Sequence, residues 1–181
     1  VSEVERLLPV MSEVVRILRK TEGDVPIRMG VAKEIGMAWM EARVRQLGME
    51  SVVLAEGLEA AAGPSAACLV CSGTATLELA CMGRPMVVVY KAHPLTWWLG
   101  QVLVRGVEYV ALPNILLDRP AVPERLQHLD PQVLVGLLQG AQGDSEQMAA
   151  LGAVRERLGS AGAGERAAER TAVVFDRRVT G

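Results

Sequence analysis

The residues best placed to do chemistry lie between Val70 and Tyr90, in the run VCSGTATLELACMGRPMVVVY. Ser72, Gly73 and Thr74 follow an apolar run that reads as a strand. They open a segment with helical spacing, from Thr74 to Met82, which Gly83 stops. The first N–H groups of a helix have no intrahelical partner and the helix dipole adds positive potential, so phosphate oxygens are favoured there. Ser72 suits the N-cap position, and Gly73 lets a ligand approach the backbone. Thr74 and Glu78 are four apart, so they share one helix face at a separation of about 6 Å along the axis. Leu77, Ala80 and Cys81 are expected on the opposite, core-facing side. A carboxylate so placed can accept two hydrogen bonds from a ribose diol while a pyrophosphate sits at the turn. The same residues also fit an ordinary capped helix with a solvated Glu, and the pattern leaves both readings open.

Other reactive side chains point to less. Cys68 and Cys71 form a C-x-x-C, but strand residues three apart face opposite ways, and no second cysteine pair or histidine cluster completes a metal site. They read as reduced core thiols. Ser72 lacks the G-x-S-x-G context of a hydrolase nucleophile. Lys91 and His93 follow the strand ending at Tyr90 and are candidate phosphate contacts, with plain surface and loop roles as the alternatives. Trp97 and Trp98 lie in the apolar run PLTWWLGQVLV, where core or subunit packing is favoured over contact with a lipid surface.

These residues need a scaffold. The chain has 181 residues, enough for one domain with its own core. It is 50% hydrophobic with only 3% aromatic residues, so that core must be built from Val, Leu, Ala and Met. A net charge of −2 gives no basic footprint for nucleic acid. The pattern predicts a helix from Ser2, kinked at Pro9, then a strand over Val25–Val31 and a helix over Glu34–Leu47. Strands follow at Ser51–Ala55 and Ala67–Cys71, with a weak helical segment at Gly57–Ala62 between them. After the motif helix come a buried strand at Met86–Tyr90, a helix over Pro94–Val104 and a strand over Tyr109–Leu112. Pro123 is expected to open a short helix, and Asp130 with Pro131 caps the next. Asp144 and Gln147 resemble a capping box ahead of a stripe of Met148, Leu151, Val154 and Leu158. A last polar helix is expected over Glu165–Phe175. Alternating strands and helices imply an α/β fold, a mostly parallel sheet flanked by helices, with a helical C-terminal tail. The expected division is residues 1–127 for the sheet domain and 128–181 for the tail.

From Cys71 to Gln127 the chain resembles the lipid-A-disaccharide synthases, a family of GT-B glycosyltransferases. The resemblance rests on SGTATLE (Ser72–Glu78), GRPMVVVY (Gly83–Tyr90), PLTWWL (Pro94–Leu99), LPN (Leu112–Asn114) and VPERLQ (Val122–Gln127), in that order. SEVERLLPV (Ser2–Val10) resembles the helix that follows the family's PGSR loop. The resemblance implies a Rossmann-like, UDP-sugar-binding C-terminal half of a GT-B enzyme. It implies transfer of a diacylglucosamine unit from UDP-2,3-diacylglucosamine to lipid X, yielding lipid A disaccharide and UDP, with no metal or redox cofactor. By the same resemblance Ser72, Gly73 and Thr74 would meet the diphosphate, Glu78 would hold the ribose, and Asn114 would help line the donor site.

The resemblance also implies a homodimer and a cytoplasmic protein, peripheral on the inner membrane face. Ala92 with His93 and the run NILLD look more like plant and alga members, for which an organelle would be the compartment. The PGSR loop would lie just before Val1, and the N-terminal half with the acceptor site and catalytic acid is expected to be missing. The chain alone is therefore not expected to turn over substrate. Ala66 stands where the family usually has Asp, Lys91 where it has Arg, and Asp118 where it commonly has Gly. Two other readings compete: a non-catalytic UDP-sugar-binding or interaction module, and a related UDP-sugar transferase or epimerase.

Overall fold

A computed structural model of the chain describes residues 2–91 and 108–159. In chain order the elements are α1 (Ser2–Glu22), β1 (Arg28–Val31), α2 (Met37–Gln46), β2 (Val53–Glu56), α3 (Gly57–Ala62) and β3 (Cys68–Cys71). They continue with α4 (Ala75–Cys81), β4 (Met86–Tyr90), α5 (Leu112–Leu117), β5 (Glu124–Leu126), α6 (Pro131–Ala141) and α7 (Ser145–Leu158). Among the described residues every strand pairing is parallel: β1 with β2, and β3 with β4 with β5. The Rossmann-like α/β class expected of the sequence is the one observed. The helices expected over Pro94–Val104 and Glu165–Phe175, together with His93, Trp97 and Trp98, lie outside the described residues.

β4 is the axis of the core. Met86, Val87, Val88 and Val89 are all 1% exposed or less, as expected of a strand covered on both faces. Val87 and Val89 face Leu7 and Val14 of α1 and Leu134, Val135 and Leu138 of α6. Met86 and Val88 face the other way, toward Leu79 and Ala80 of α4 and Leu151 and Val154 of α7. Full burial of each such side chain contributes about 1.5–3 kcal/mol. Helices α6 and α7 thus cover opposite faces of the same strand, so the segment after residue 127 shares the core of what precedes it. A third cluster joins Leu8 and Val15 of α1 to Val31 of β1 and to Met40 and Val44 of α2. Gly30 of β1 lets α3 approach closely: a Cβ there would lie 2.9 Å from the carbonyl oxygen of Gly57.

The helix expected from Ser2 is α1 and continues through Pro9, which is exposed, so the carbonyl that Pro9 leaves without a donor can reach water. Other elements differ from expectation for physical reasons. Leu112–Leu117 is a helix where Tyr109–Leu112 was expected to be a strand, and Glu124–Leu126 is a strand where Pro123 was expected to open a helix. The Glu124 carboxylate accepts from the N–H groups of Val110 (3.1 Å) and Ala111 (2.7 Å), which fixes the start of α5. The Pro123 carbonyl accepts from Val88 N–H at 2.8 Å, which draws the following residues beside β4. Asp144 caps α7 as expected, through the N–H groups of Glu146 and Gln147. The Gln147 side chain, however, accepts from Met86 N–H at 2.6 Å instead of closing a capping box. That contact turns the helix so that Gln147, Ala150, Leu151 and Val154 are buried, while Met148 and Leu158 are exposed.

Candidate functional site

The candidate site lies where β3 gives way to α4. β3 and β4 run parallel with Cys71 opposite Val89, so Ser72 and Lys91 emerge at the same, C-terminal edge of the sheet. That edge is where open parallel sheets receive ligands. Ser72 N–H donates to Val89 O at 3.0 Å, continuing the ladder one residue past the strand. The Ser72 hydroxyl donates to Val110 O at 2.8 Å and so ties this corner to the segment before α5. Ser72 is therefore not the N-cap expected of it: α4 begins at Ala75, Thr74 is already helical, and no side chain caps the end.

Gly73 makes the turn. Its φ of 152° suits glycine, and among the described residues a Cβ there would meet nothing within 4 Å. The Gly73 carbonyl accepts from Thr76 twice, from its N–H at 3.0 Å and its hydroxyl at 2.7 Å. Among the described residues, the N–H groups of Gly73, Thr74 and Ala75 have no acceptor. They are the donors a phosphate would need. Thr74 and Glu78 are both exposed on the same face of α4, as their spacing predicts. The buried face is Thr76, Leu79 and Ala80, with half-buried Leu77 packed against the same core as expected; Cys81 is exposed, contrary to expectation. Lys91 stands half-buried at the sheet edge, and His93 lies outside the described residues.

Asn114 is placed differently. It is fully buried in α5. Its Oδ1 accepts from the N–H groups of Ala121 and Val122, both at 2.8 Å. Its Nδ2 donates to Val122 O at 3.0 Å and to Glu124 Oε2 at 3.3 Å. Both lone-pair directions and both amide hydrogens are engaged, so this side chain shapes the wall beside Ser72 and has no polar group left for a ligand. Glu124, which the sequence reading did not single out, holds Val110, Ala111 and Asn114 together. Nothing local marks it, because its partners are ten or more residues away.

The cysteines separate as strand geometry requires. Cys68 packs with the α4 and α7 side of the sheet and Cys71 with the α1 side. All three thiols are free. The Cys71 thiol donates to Glu3 Oε1 at 3.0 Å. Burial pushes the Cys71 thiol up to about 12, and the Glu3 hydrogen bond and charge add to it. Burial also raises Cys68, opposed by the Arg84 charge. Neither thiol is activated. Among the described residues no three His, Cys, Asp or Glu side chains gather as a metal site, and no helix is long and apolar enough to cross a membrane.

The family model of lipid-A-disaccharide synthetase matches residues 1–148. A lipid-A-disaccharide synthase of Anaeromyxobacter dehalogenans is 40% identical over 93% of this chain and 45% of its own length. One from Syntrophus aciditrophicus is 34% identical over 92% of the chain and 45% of its own length. One from Myxococcus xanthus is also 34% identical, with the same shares covered. The chain spans less than half the length of these relatives. They give the organellar expectation no support.

Proposed function

The chain belongs to the lipid-A-disaccharide synthetase family, and we propose that it is the part of such an enzyme that binds the UDP-sugar donor. The observation carrying this reading is the corner at Ser72–Glu78. Open N–H groups at Gly73, Thr74 and Ala75 sit at the C-terminal edge of a parallel sheet, one helical turn from the exposed carboxylate of Glu78. In this reading the diphosphate takes those N–H groups and Glu78 accepts from the ribose hydroxyls. Lys91, at the same edge, supplies positive charge, and His93 would join it. Asn114 acts through the wall it builds, as a positioning residue.

The reaction of the whole enzyme would move a diacylglucosamine unit from UDP-2,3-diacylglucosamine to the hydroxyl of lipid X. The bond from the sugar carbon to the UDP oxygen breaks, a bond to the acceptor oxygen forms, and the acceptor's proton is lost to a base. Fixed N–H dipoles aimed at the departing diphosphate stabilise the charge that develops there. The acceptor site and the acidic catalytic residue belong, in this reading, to the part of the relatives that this chain does not span. Action at the membrane surface and a homodimeric state are proposals of the same rank.

The test is amide chemical-shift mapping of the 15N-labelled chain. Addition of UDP is expected to move the Gly73, Thr74 and Ala75 amides in a saturable way, and uridine alone to leave them in place. Equal effects of UDP and uridine, or shifts confined to another surface, would contradict the reading.

A further inference from the structure

Gly73 has no side chain to hold its turn, so its neighbours must set the place of the backbone. On the helix side, the Thr76 N–H and hydroxyl both bond the Gly73 carbonyl, at 3.0 and 2.7 Å. On the strand side, Ser72 sends its N–H to Val89 O at 3.0 Å and its hydroxyl to Val110 O at 2.8 Å. A serine hydroxyl has one hydrogen, and here Val110 holds it. Ser72 therefore tethers the turn, and it has no proton to offer a phosphate while that bond stands. The other three bonds stay within the unit β3, α4 and β4. The bond to Val110 reaches outside it, to a residue that belongs to no helix or strand.

Glu124 holds Val110. Among the described residues Val110 has two polar contacts. Its C=O takes the Ser72 hydroxyl, and its N–H goes to the Glu124 carboxylate, 3.1 Å from Oε2 and 3.3 Å from Oε1. Oε2 also accepts from Ala111 N–H at 2.7 Å and from Asn114 Nδ2 at 3.3 Å. The register explains how one side chain reaches this far. Glu124 pairs with Val88 and Cys71 with Val89, so alternation puts Glu124 on the face of the sheet that Ser72 shares, two strands across. Val110 and Ala111 thus bridge the end of β4, from Glu124 on β5 to Ser72 beyond β3. The half-buried carboxylate makes no ion pair among the described residues; backbone and amide N–H groups alone meet its charge.

We propose that Glu124 is a positioning residue for donor binding: through Val110 and Ser72 it sets the Gly73 turn that receives the diphosphate. This role rests on the donor-site reading. Without Glu124, Val110 is free to move and the Ser72 hydroxyl loses its fixed acceptor. Ordering of the turn is then left to the moment of binding, and the cost appears as lost affinity. A through-space effect of the Glu124 charge has the opposite sign, because removing a negative charge behind an anion site favours the anion. Reach and charge can be separated. In Glu124→Gln, a carboxamide oxygen in the place of Oε2 meets the same three donors, and only the 3.3 Å contact of Oε1 is lost. Glu124→Asp keeps the charge but is one methylene too short to hold Val110 and Ala111 together.

The test is calorimetric titration of the chain and its variants with UDP, each checked for folding by circular dichroism. Glu124→Asp and Ser72→Ala should each weaken UDP about tenfold, and the double variant no further than either alone, because both break the same link. Glu124→Gln should stay within about threefold of the wild type. Val110→Pro deletes the N–H that Glu124 holds and should match Glu124→Asp, which keeps the link testable should the Asp variant not fold. Gln147→Ala is the control for a merely structural role: it loses a core hydrogen bond at the far end of β4 and should bind UDP as the wild type does. In the absence of nucleotide, the Gly73 amide should shift in 15N-labelled Glu124→Asp and stay in place in Gln147→Ala. A folded Asp or Pro variant that binds as tightly as the wild type would overturn the proposal. So would losses that add in the double variant, a Gln variant as weak as the Asp one, or a Gly73 amide unmoved by Glu124→Asp. Each of these leaves UDP binding by the wild-type chain intact, whereas failure of the donor-site reading shows as no saturable binding in the wild type itself.

Discussion

Replacement of Asn114 by Ala should destabilise the fold far more than a single polar substitution on the surface would. Ala121 N–H keeps a second acceptor in Arg119 O at 2.8 Å, and Glu124 keeps its bonds to Val110 and Ala111. The N–H and C=O of Val122 have no other partner among the described residues, and Val122 is 3% exposed. Each buried group left unpaired costs about 1–3 kcal/mol, so Asn114→Ala should lose about 2–6 kcal/mol of unfolding free energy. Single domains have only about 5–15 kcal/mol in total. With a urea m-value of about 2 kcal/mol/M, the midpoint followed by circular dichroism should fall by about 1–3 M. Asn114→Asp gives a sharper signature. One carboxyl oxygen can keep the Val122 N–H, but the other meets Val122 O and the Glu124 carboxylate. Burial beside those oxygens raises its folded pKa above the unfolded value, so its stability should be best in acid and fall as pH rises through the folded pKa. A fall below about 0.3 M for the Ala variant, or an Asp variant whose deficit against wild type does not vary with pH, would refute the reasoning.

Gln147→Ala removes the acceptor for Met86 N–H in the centre of the core and should cost about 1–3 kcal/mol by the same urea assay. At pH 8 a disulfide reagent should label the exposed Cys81 first and Cys71 last. A thiol raised from 9.0 to about 12 has about a thousandfold less thiolate at that pH. Because the folded state holds that proton more tightly than the unfolded state, stability should decline from about pH 9 toward about 12, and Cys71→Ala should lack that part of the decline.

The parts of the fold read correctly from sequence are those decided by local chemistry. Met86–Tyr90 is an unbroken apolar run, and it is the buried central strand. Asp130 with Pro131, and Asp144, carry their helix starts within four residues, and both caps form. Thr74 and Glu78 share a face because helical spacing demands it. The segment from Tyr109 to Leu126 was misread because a short apolar run fits strand or helix equally. What decides it is a carboxylate from Glu124 reaching back to Val110 and Ala111, a tertiary contact with no local mark. The surroundings of Asn114 are hidden for the same reason: its motif is visible, but its burial and its four side-chain hydrogen bonds are not. Ser72 was expected to cap a helix, and instead spends its hydroxyl on Val110 O, another partner distant in sequence.

The donor-site reading is tested most directly by calorimetric titration of the chain with UDP, beside a Glu78→Ala variant. Glu78 is exposed, and among the described residues its side chain makes no hydrogen bond or ion pair, so its loss should leave the fold intact. Saturable binding of UDP is expected in the wild-type chain. Loss of a hydrogen bond to a charged group is worth about 1.5–3 kcal/mol, so the variant should bind about ten- to a hundredfold more weakly. A folded wild-type chain with no saturable UDP binding, or a variant that binds as tightly as the wild type, would contradict the placement of the donor at Ser72–Glu78.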